Sequence, residues 1–326
     1  MPTEELLDLR LCDLKLRLRG TWLQVLSQRV LDELAAHGLR LRPHFWLSDE
    51  WCSPDGIPGV AIPFFLAHPR LAALERAQMY EVEGGNRRDC LKLLRHEVGH
   101  AMQHGYALQR RRRWQRVFGR SSIPYPEHYR PRPGSRRFVQ HLDGWYAQSH
   151  PSEDFAETFA VWLTPRSQWR RQYEGWPALE KLEYVDELMR QLRGQDPPVA
   201  SRKRPYSLGS LRQRLRDYYK DKQARYGRGT SGAYDQQLRA LFRDRGGSMT
   251  AAQFLRKHRA GLRDSVARGT GQHPLTVDQI LKEMVARCHE LRLRAAGSER
   301  RLRSEMLVLL TAHTVHRLHT AQWHAL

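Results

Sequence analysis

The sequence contains little cysteine and no long apolar segment. Its four cysteines are scattered through 326 residues without a CxxC pair, which argues against a zinc ribbon and against a disulfide framework. Its apolar runs are shorter than the roughly 18 residues that a membrane helix needs. The first residues are acidic where a secretory signal would be basic. These absences predict a cytoplasmic protein with reduced thiols and no membrane partner.

Acidic residues become scarce after residue 200. From residue 201 onward the chain has 26 Lys and Arg against 10 Asp and Glu, a net charge of +16 out of the total of +20. A stretch rich in glycine and proline, residues 194–201, lies at this change in composition, as linkers between domains often do. Because 326 residues suffice for two ordinary domains, we predict a first domain at 1–195 and a basic α-helical bundle domain at 201–326.

One motif in the first domain points to metal chemistry. The residues His96-Glu97-Val98-Gly99-His100 spell HExxH inside a proline-free run with helical periodicity. Side chains one helical turn apart share a face, so both imidazoles can bind one cation while Glu97 stands beside it. An amphipathic helix that contains these letters by chance is the alternative. The pattern favours zinc, with Glu97 accepting the proton of a zinc-bound water.

A second helix is predicted to begin at Pro151, where a proline is followed by Ser152 and by acids in the first turn. Glu153 and Glu157 lie one turn apart on one face of this helix. Two acids near a helix N-terminus can simply favour the helix dipole. Because HExxH lies upstream, however, we predict that Glu153 is the third metal ligand and that Glu157 binds the outer N–H of a liganding histidine.

The two stretches together resemble a bacterial family described as "putative zinc-binding metallopeptidases", and the gluzincins more broadly. The resemblance spans roughly residues 40–190. It implies a zinc ion on His96, His100 and Glu153, with Glu97 as the general base of a peptidase that acts on proteins or peptides. Among members like anthrax lethal factor, a tyrosine seven residues before the ligand glutamate stabilises the oxyanion, which implies that role for Tyr146. Many members of the family also carry an N-terminal cysteine zinc ribbon, which this sequence lacks.

The residues before the HExxH motif predict two short strands. Residues 41–48 and 59–66 are rich in aromatic and β-branched side chains and flank a turn-forming segment. We therefore predict an α+β, zincin-like domain with a small antiparallel sheet. An edge strand often holds an extended peptide through its main chain, and Ala61, Ile62 and Phe64 could form such a substrate-binding edge. A plain hairpin that covers the core is the alternative.

The segment between the two predicted ligand helices is basic at first and then rich in proline. A run of arginines at residues 110–116 is typical of a solvated helix face, with polyanion binding as the alternative. The prolines that follow, Pro124, Pro126, Pro131 and Pro133, exclude a regular element. We therefore predict an irregular loop that serves as a lid or as a wall of the substrate site.

The basic C-terminal domain supports a second hypothesis about function. If this domain binds a polyanion, its cations must share a face, and a helix from near Leu208 would place Arg212 and Arg216 on one side. The protein would then bind nucleic acid, or be a protease directed to nucleic acid. A solvated surface that reflects a basic coding bias is the alternative. The candidate polyanion-binding residues are Arg202, Lys203, Arg204, Arg212 and Arg216.

Overall fold

The structure of the chain is a computed structural model that describes residues 2–126, 128–129, 132, 134–226, 234–320 and 323–324. Two prolines of the predicted lid, Pro131 and Pro133, lie outside these residues. The described chain divides into two compact units. The first contains the described residues up to Arg76, those of Val82–Arg216 and the pair 323–324. The second contains Ala77–Glu81 and the described residues from Asp217 to Thr320.

Helices make up most of the described chain. They are α1 (Thr3–Asp8), α2 (Trp22–Ala36), α3 (Pro69–Met79), α4 (Arg87–Gly105), α5 (Arg112–Phe118), α6 (Pro151–Leu163), α7 (Trp169–Gln172), α8 (Ala178–Leu192), α9 (Leu215–Tyr226), α10 (Asp235–Leu241), α11 (Ala251–Thr270), α12 (Pro274–Glu290) and α13 (Glu299–Thr320). Short 3₁₀ turns lie at Leu11–Leu14, Phe64–Ala67, Leu108–Arg110, Asp143–Gln148 and Leu208–Ser210. None of the helices in the described ranges combines the length and the apolar composition that a membrane span requires.

Among the described residues, the strands form three separate pairs. β1 (His44–Ser48) pairs with β2 (Gly59–Pro63), β3 (His128–Tyr129) with β6 (Trp323–His324), and β4 (Met249–Thr250) with β5 (Arg294–Ala295). The last two pairs are antiparallel and only two residues long. The class is therefore α+β, as predicted, with little strand content.

The predicted antiparallel pairing of the first two strands is wrong, because β1 and β2 run parallel, with Trp46 opposite Ala61. A hairpin would need a tight turn of a few residues between the strands. Residues 49–58 instead pass to the other side of β2, where the main chain of Cys52 pairs with that of Ala61 in an antiparallel bridge. β2 thus lies between β1 and the crossing segment.

The first unit is organised around α4, which packs against α2, α6 and β2. Every residue of β2 is buried, as are most residues of α4. Helix α6 begins at Pro151, as predicted, and His150 before it caps the helix by accepting a hydrogen bond from the main-chain N–H of Ser152. The two helices with the predicted ligands therefore form the centre of this unit.

The second unit is helical and has its own core. Helices α11, α12 and α13 pack on one another, with the shorter α10 beside them. Apolar side chains from all of them meet in one buried cluster that includes Leu238, Phe254, Ile280, Met284 and Met306. A unit with a separate core of this kind can unfold on its own.

The first compact unit continues past the predicted linker at 194–201 as far as Arg216. The division into domains at 1–195 and 201–326 stays a prediction. The helix expected from Leu208 begins only at Leu215. The main chain of residues 211–215 cannot form the first helical hydrogen bonds, because it pairs with another segment. Its groups hydrogen-bond to residues 9–12, with N–O distances of 2.9 Å from Leu11 N to Gln213 O and 3.0 Å from Leu215 N to Leu9 O.

The candidate polyanion-binding residues consequently do not share one helix. Arg216 forms ion pairs with Glu4 at 2.9 Å and with Asp8 at 3.2 Å, and the guanidinium of Arg212 lies 3.8 Å from the sulfur of Cys12. The other three, Arg202, Lys203 and Arg204, are exposed on an irregular segment. Polyanion binding by this segment stays a prediction.

Candidate metal centre

Helix α4 carries the HExxH side chains into the interior of the first unit. Asn86 caps its N-terminus by accepting hydrogen bonds from two main-chain N–H groups of the first turn, each at 3.0 Å. His96, Glu97 and His100 are all buried. Buried polar groups must find partners inside the protein or bind a ligand there.

Helix α6 approaches α4 closely at a glycine. A Cβ atom on Gly99 would lie 2.9 Å from Cα of Ala156 and 3.1 Å from its carbonyl oxygen, closer than side chains normally pack. A hydrogen bond also joins the two helices, because Nε2 of Gln103 donates to Oγ of Ser152 at 3.0 Å. The absence of a side chain at Gly99 therefore lets α6 bring Glu153 up against the two histidines.

Three potential ligand atoms converge between these helices. Nε2 of His96 and Nε2 of His100 lie 3.2 Å apart, and Oε2 of Glu153 lies 3.0 Å from the first and 3.1 Å from the second. Four-coordinate zinc with bonds of about 2.0–2.2 Å spaces its ligands about 3.4 Å apart. Within the described ranges, no other group of three His, Cys, Asp or Glu side chains has such a geometry. The three residues fit a zinc ion.

Glu157 holds the outer nitrogen of His96. Nδ1 of His96 lies 2.8 Å from Oε1 of Glu157, and Oε2 of Glu157 accepts a hydrogen bond from the main-chain N–H of Leu142, also at 2.8 Å. A proton on Nδ1 leaves the lone pair of Nε2 free for a metal. With a metal on Nε2, this contact would set both the orientation and the tautomer of the imidazole.

The side chains of the centre stabilise one another's charged forms. Burial acts to raise the pKa of Glu153, but the positive charge of His100 and hydrogen bonds from both histidines outweigh it and hold that pKa well below its usual range. Burial acts to lower the pKa of His96, but hydrogen bonds to Glu153 and Glu157 raise it well above its usual value. Ionised carboxylates buried in this way need a compensating cation, and a divalent metal supplies one.

Glu97 is buried beside these potential ligands. Its Oε2 has no hydrogen-bond partner among the described residues, and burial raises the pKa of its carboxyl group. A buried oxygen without a partner costs folding free energy, and such atoms often mark functional groups. Glu97 is therefore a candidate for handling a proton at the centre.

Tyr146 lies against His96, with the two ring centroids 5.6 Å apart. The residue before it, Trp145, has a positive φ of 54°, a conformation that costs a non-glycine residue roughly 1–3 kcal/mol and concentrates at functional sites. Burial and the neighbouring Glu153 raise the pKa of Tyr146. Its hydroxyl is therefore protonated at neutral pH and can donate a hydrogen bond.

Residues 69–171, which contain α4, α6 and the loop between them, match the model of a family described as "putative zinc-binding metallo-peptidase". The resemblance seen in the sequence is confirmed. Zinc is accordingly the metal that the cluster of His96, His100 and Glu153 is suited to hold. A search of curated proteins and a search of solved structures each found no match.

Within the matched residues 69–171, the sequence did not single out Tyr125. Its hydroxyl donates a hydrogen bond to Oε1 of Glu153 at 2.8 Å, and its ring stacks on that of His150 with 3.8 Å between centroids. Tyr129, also in the loop, is buried with its ring centroid 6.4 Å from that of Tyr146. The sequence pointed to these tyrosines only indirectly, through the prediction that the proline-rich loop serves as a lid or as a wall of the substrate site.

The predicted substrate edge is not open at Ala61. Its main-chain N–H donates to the carbonyl of Cys52 at 2.8 Å, and its carbonyl accepts from the N–H of Cys52 at 3.4 Å. Ile62 is fully buried in β2, whereas Phe64 lies beyond the strand in a 3₁₀ turn. A peptide therefore cannot add to the main chain of Ala61 as the sequence suggested, because the segment that crosses over β2 already occupies that position.

Proposed function

We propose that this protein is a zinc-dependent peptidase in which His96, His100 and Glu153 hold the metal. The observation that carries the proposal is the convergence of their three ligand atoms within 3.0–3.2 Å of one another, beside the buried Glu97. The family match over residues 69–171 supports peptide-bond hydrolysis. Proteins or peptides are the proposed substrates.

The zinc ion, when bound, would lower the pKa of a coordinated water towards about 7 and polarise the scissile carbonyl. The chain supplies the proton transfers. The carboxylate of Glu97 would take a proton from the attacking water and then pass it to the amine that leaves. A carboxyl whose pKa is raised by burial is better suited to both steps than an exposed one, because its affinity for the proton is closer to that of its donor and acceptor.

Two further residues would complete the mechanism. The protonated hydroxyl of Tyr146 would donate a hydrogen bond to the oxygen that becomes negative as the peptide carbonyl is attacked. Glu157 would keep the proton on Nδ1 of His96, so that Nε2 of that histidine remains a ligand throughout the cycle.

The direct test separates proton transfer from metal binding. Glu97→Gln should keep one zinc per chain but lower hydrolysis by about 10²- to 10⁴-fold, the usual contribution of a general base. Glu153→Ala should lose the zinc as well. Zinc content would be measured by elemental analysis after dialysis, and hydrolysis by mass spectrometry on a mixed peptide library.

The matched control is Glu183→Gln, the same substitution at an exposed position of α8, which should change neither property. Full hydrolysis by Glu97→Gln would contradict the role of Glu97. Normal zinc content in Glu153→Ala would contradict the ligand set.

A further inference from the structure

Both oxygens of the Glu153 carboxylate are engaged, and they face different groups. Oε2 points to the two imidazoles, at 3.0 and 3.1 Å from their Nε2 atoms. Oε1 accepts a hydrogen bond of 2.8 Å from the hydroxyl of Tyr125. A carboxylate held at one oxygen cannot rotate freely, so the other oxygen is presented in one direction.

Tyr125 is itself held by the helix that carries Glu153. Its ring stacks on the imidazole of His150 at 3.8 Å, with an angle of 19° between the rings. That imidazole accepts a hydrogen bond at Nδ1 from the main-chain N–H of Ser152 and donates one from Nε2 to the carbonyl of Ile123 at 3.0 Å. His150 thus joins the loop at 123–125 to the N-terminus of α6 through both of its nitrogens.

We propose that Tyr125 is a positioning residue for the metal ligand Glu153. By donating to Oε1 from a ring that is fixed on His150, it directs Oε2 towards the histidines before a metal binds. The inference rests on the proposed function, because it takes Glu153 as a ligand. It gives residues 123–125 of the loop a defined task, which is to hold the carboxylate of Glu153 in place.

The test compares two variants that each lose one phenolic hydroxyl. Tyr125→Phe keeps the ring stacked on His150 and removes the hydrogen bond to Glu153. Tyr106→Phe removes an equally short bond of 2.8 Å, from Tyr106 to the carbonyl of Gln195, which no ligand shares. Loss of a hydrogen bond to a metal ligand typically weakens metal binding about 10- to 100-fold. We expect that loss for Tyr125→Phe and less than about a twofold change for Tyr106→Phe, the size expected when no ligand is disturbed.

Zinc affinity would be measured on the full chain by competition with a chromophoric chelator. A second readout is the visible absorption spectrum of the cobalt-substituted protein, which reports the ligand geometry. It should shift for Tyr125→Phe and remain unchanged for Tyr106→Phe. Excess zinc should restore most of the hydrolysis of Tyr125→Phe, because the proton-transfer residues are intact.

The outcomes distinguish this inference from the proposed function. If Tyr125→Phe binds zinc with wild-type affinity and keeps the wild-type cobalt spectrum while Glu153→Ala loses the metal, the inference is overturned and the metal site stands. If the wild-type chain fails to bind zinc, or if Glu153→Ala binds it normally, the ligand set is wrong and the role of Tyr125 is overturned with it.

Discussion

Tyr146 and Tyr125 both lie at the candidate centre, but they contact different groups. Tyr125 donates to the carboxylate of Glu153, whereas the ring of Tyr146 packs against that of His96. The first contact is with the oxygen of Glu153 that does not face the histidines. The second is a packing contact between the rings of Tyr146 and His96. Substitution of Tyr125 should therefore change the affinity for zinc, whereas substitution of Tyr146 should change kcat.

For Tyr146→Phe we expect kcat to fall by about 10²- to 10³-fold, the usual cost of removing one donor to an oxyanion. Zinc affinity should stay within about twofold of the wild-type value, because the substitution removes only the hydroxyl and keeps the ring that packs against His96. Steady-state kinetics and the chelator competition would be run on the same preparations. A large loss of zinc affinity with an unchanged kcat would assign Tyr146 to metal binding instead.

For individual residues, the sequence could predict which side chains lie side by side where their positions follow from helical periodicity. His96 and His100 are one turn apart, and so are Glu153 and Glu157, so a single helix in each case fixes their relative placement. Tyr125 could not be predicted in this way. Its contact with Glu153 depends on the path of an irregular loop, and such a path has no period that could be recognised in the sequence.

At the scale of elements, the contact of α4 with α6 depends on Gly99. Gly99→Ala would force its new Cβ to within 2.9 Å of Cα of Ala156, and the helices must separate to relieve the clash. Overpacking of this kind typically costs about 1–3 kcal/mol. We expect a lower free energy of unfolding and weaker zinc binding, measured by urea denaturation of the metal-free protein and by chelator competition.

Gly261 in α11 provides a matched control, because the same substitution there should stabilise the protein. No atom lies within 4 Å of a Cβ built at this position, and its φ is not positive. Gly261→Ala should therefore raise the free energy of unfolding by about 0.5–1 kcal/mol through helix propensity alone. Stabilisation by Gly99→Ala of similar size would show that α4 and α6 are not closely packed.

The elements that the sequence predicted wrongly are those whose form depends on how separate segments of main chain pair with one another. The direction of β2 is set by the crossing segment that pairs Cys52 with Ala61. The helix expected from Leu208 is delayed to Leu215 because residues 211–215 pair with residues 9–12. Composition and periodicity describe local preferences, and neither reports pairing with a segment some 200 residues away.

At the scale of the whole molecule, the two compact units should respond differently to zinc. All three proposed ligands lie in the first unit, whereas the second has its own core. A metal that binds only the folded state stabilises it by about 4 kcal/mol when its free concentration is 1,000 times Kd. We therefore expect two calorimetric transitions, of which zinc raises one and a chelator lowers the same one.

In the variant Glu153→Ala, zinc should no longer shift the transition of the first unit. The transition of the second unit should stay at its wild-type temperature. A single transition would mean that the units unfold together. A zinc-dependent shift of two separate transitions would mean that the second unit also binds zinc or is stabilised by the first. An identical scan with and without zinc would mean that the folded protein does not bind the metal.

The buried carboxylate of Glu97 also affects the stability of the fold. Its Oε2 has no partner among the described residues, and a desolvated charge of this kind opposes folding. A neutral side chain of similar size at position 97 would relieve that cost. The proposed role of Glu97 in proton transfer and the stability of the fold therefore place opposite demands on this one residue, and the close packing of α4 on α6 helps to offset the cost.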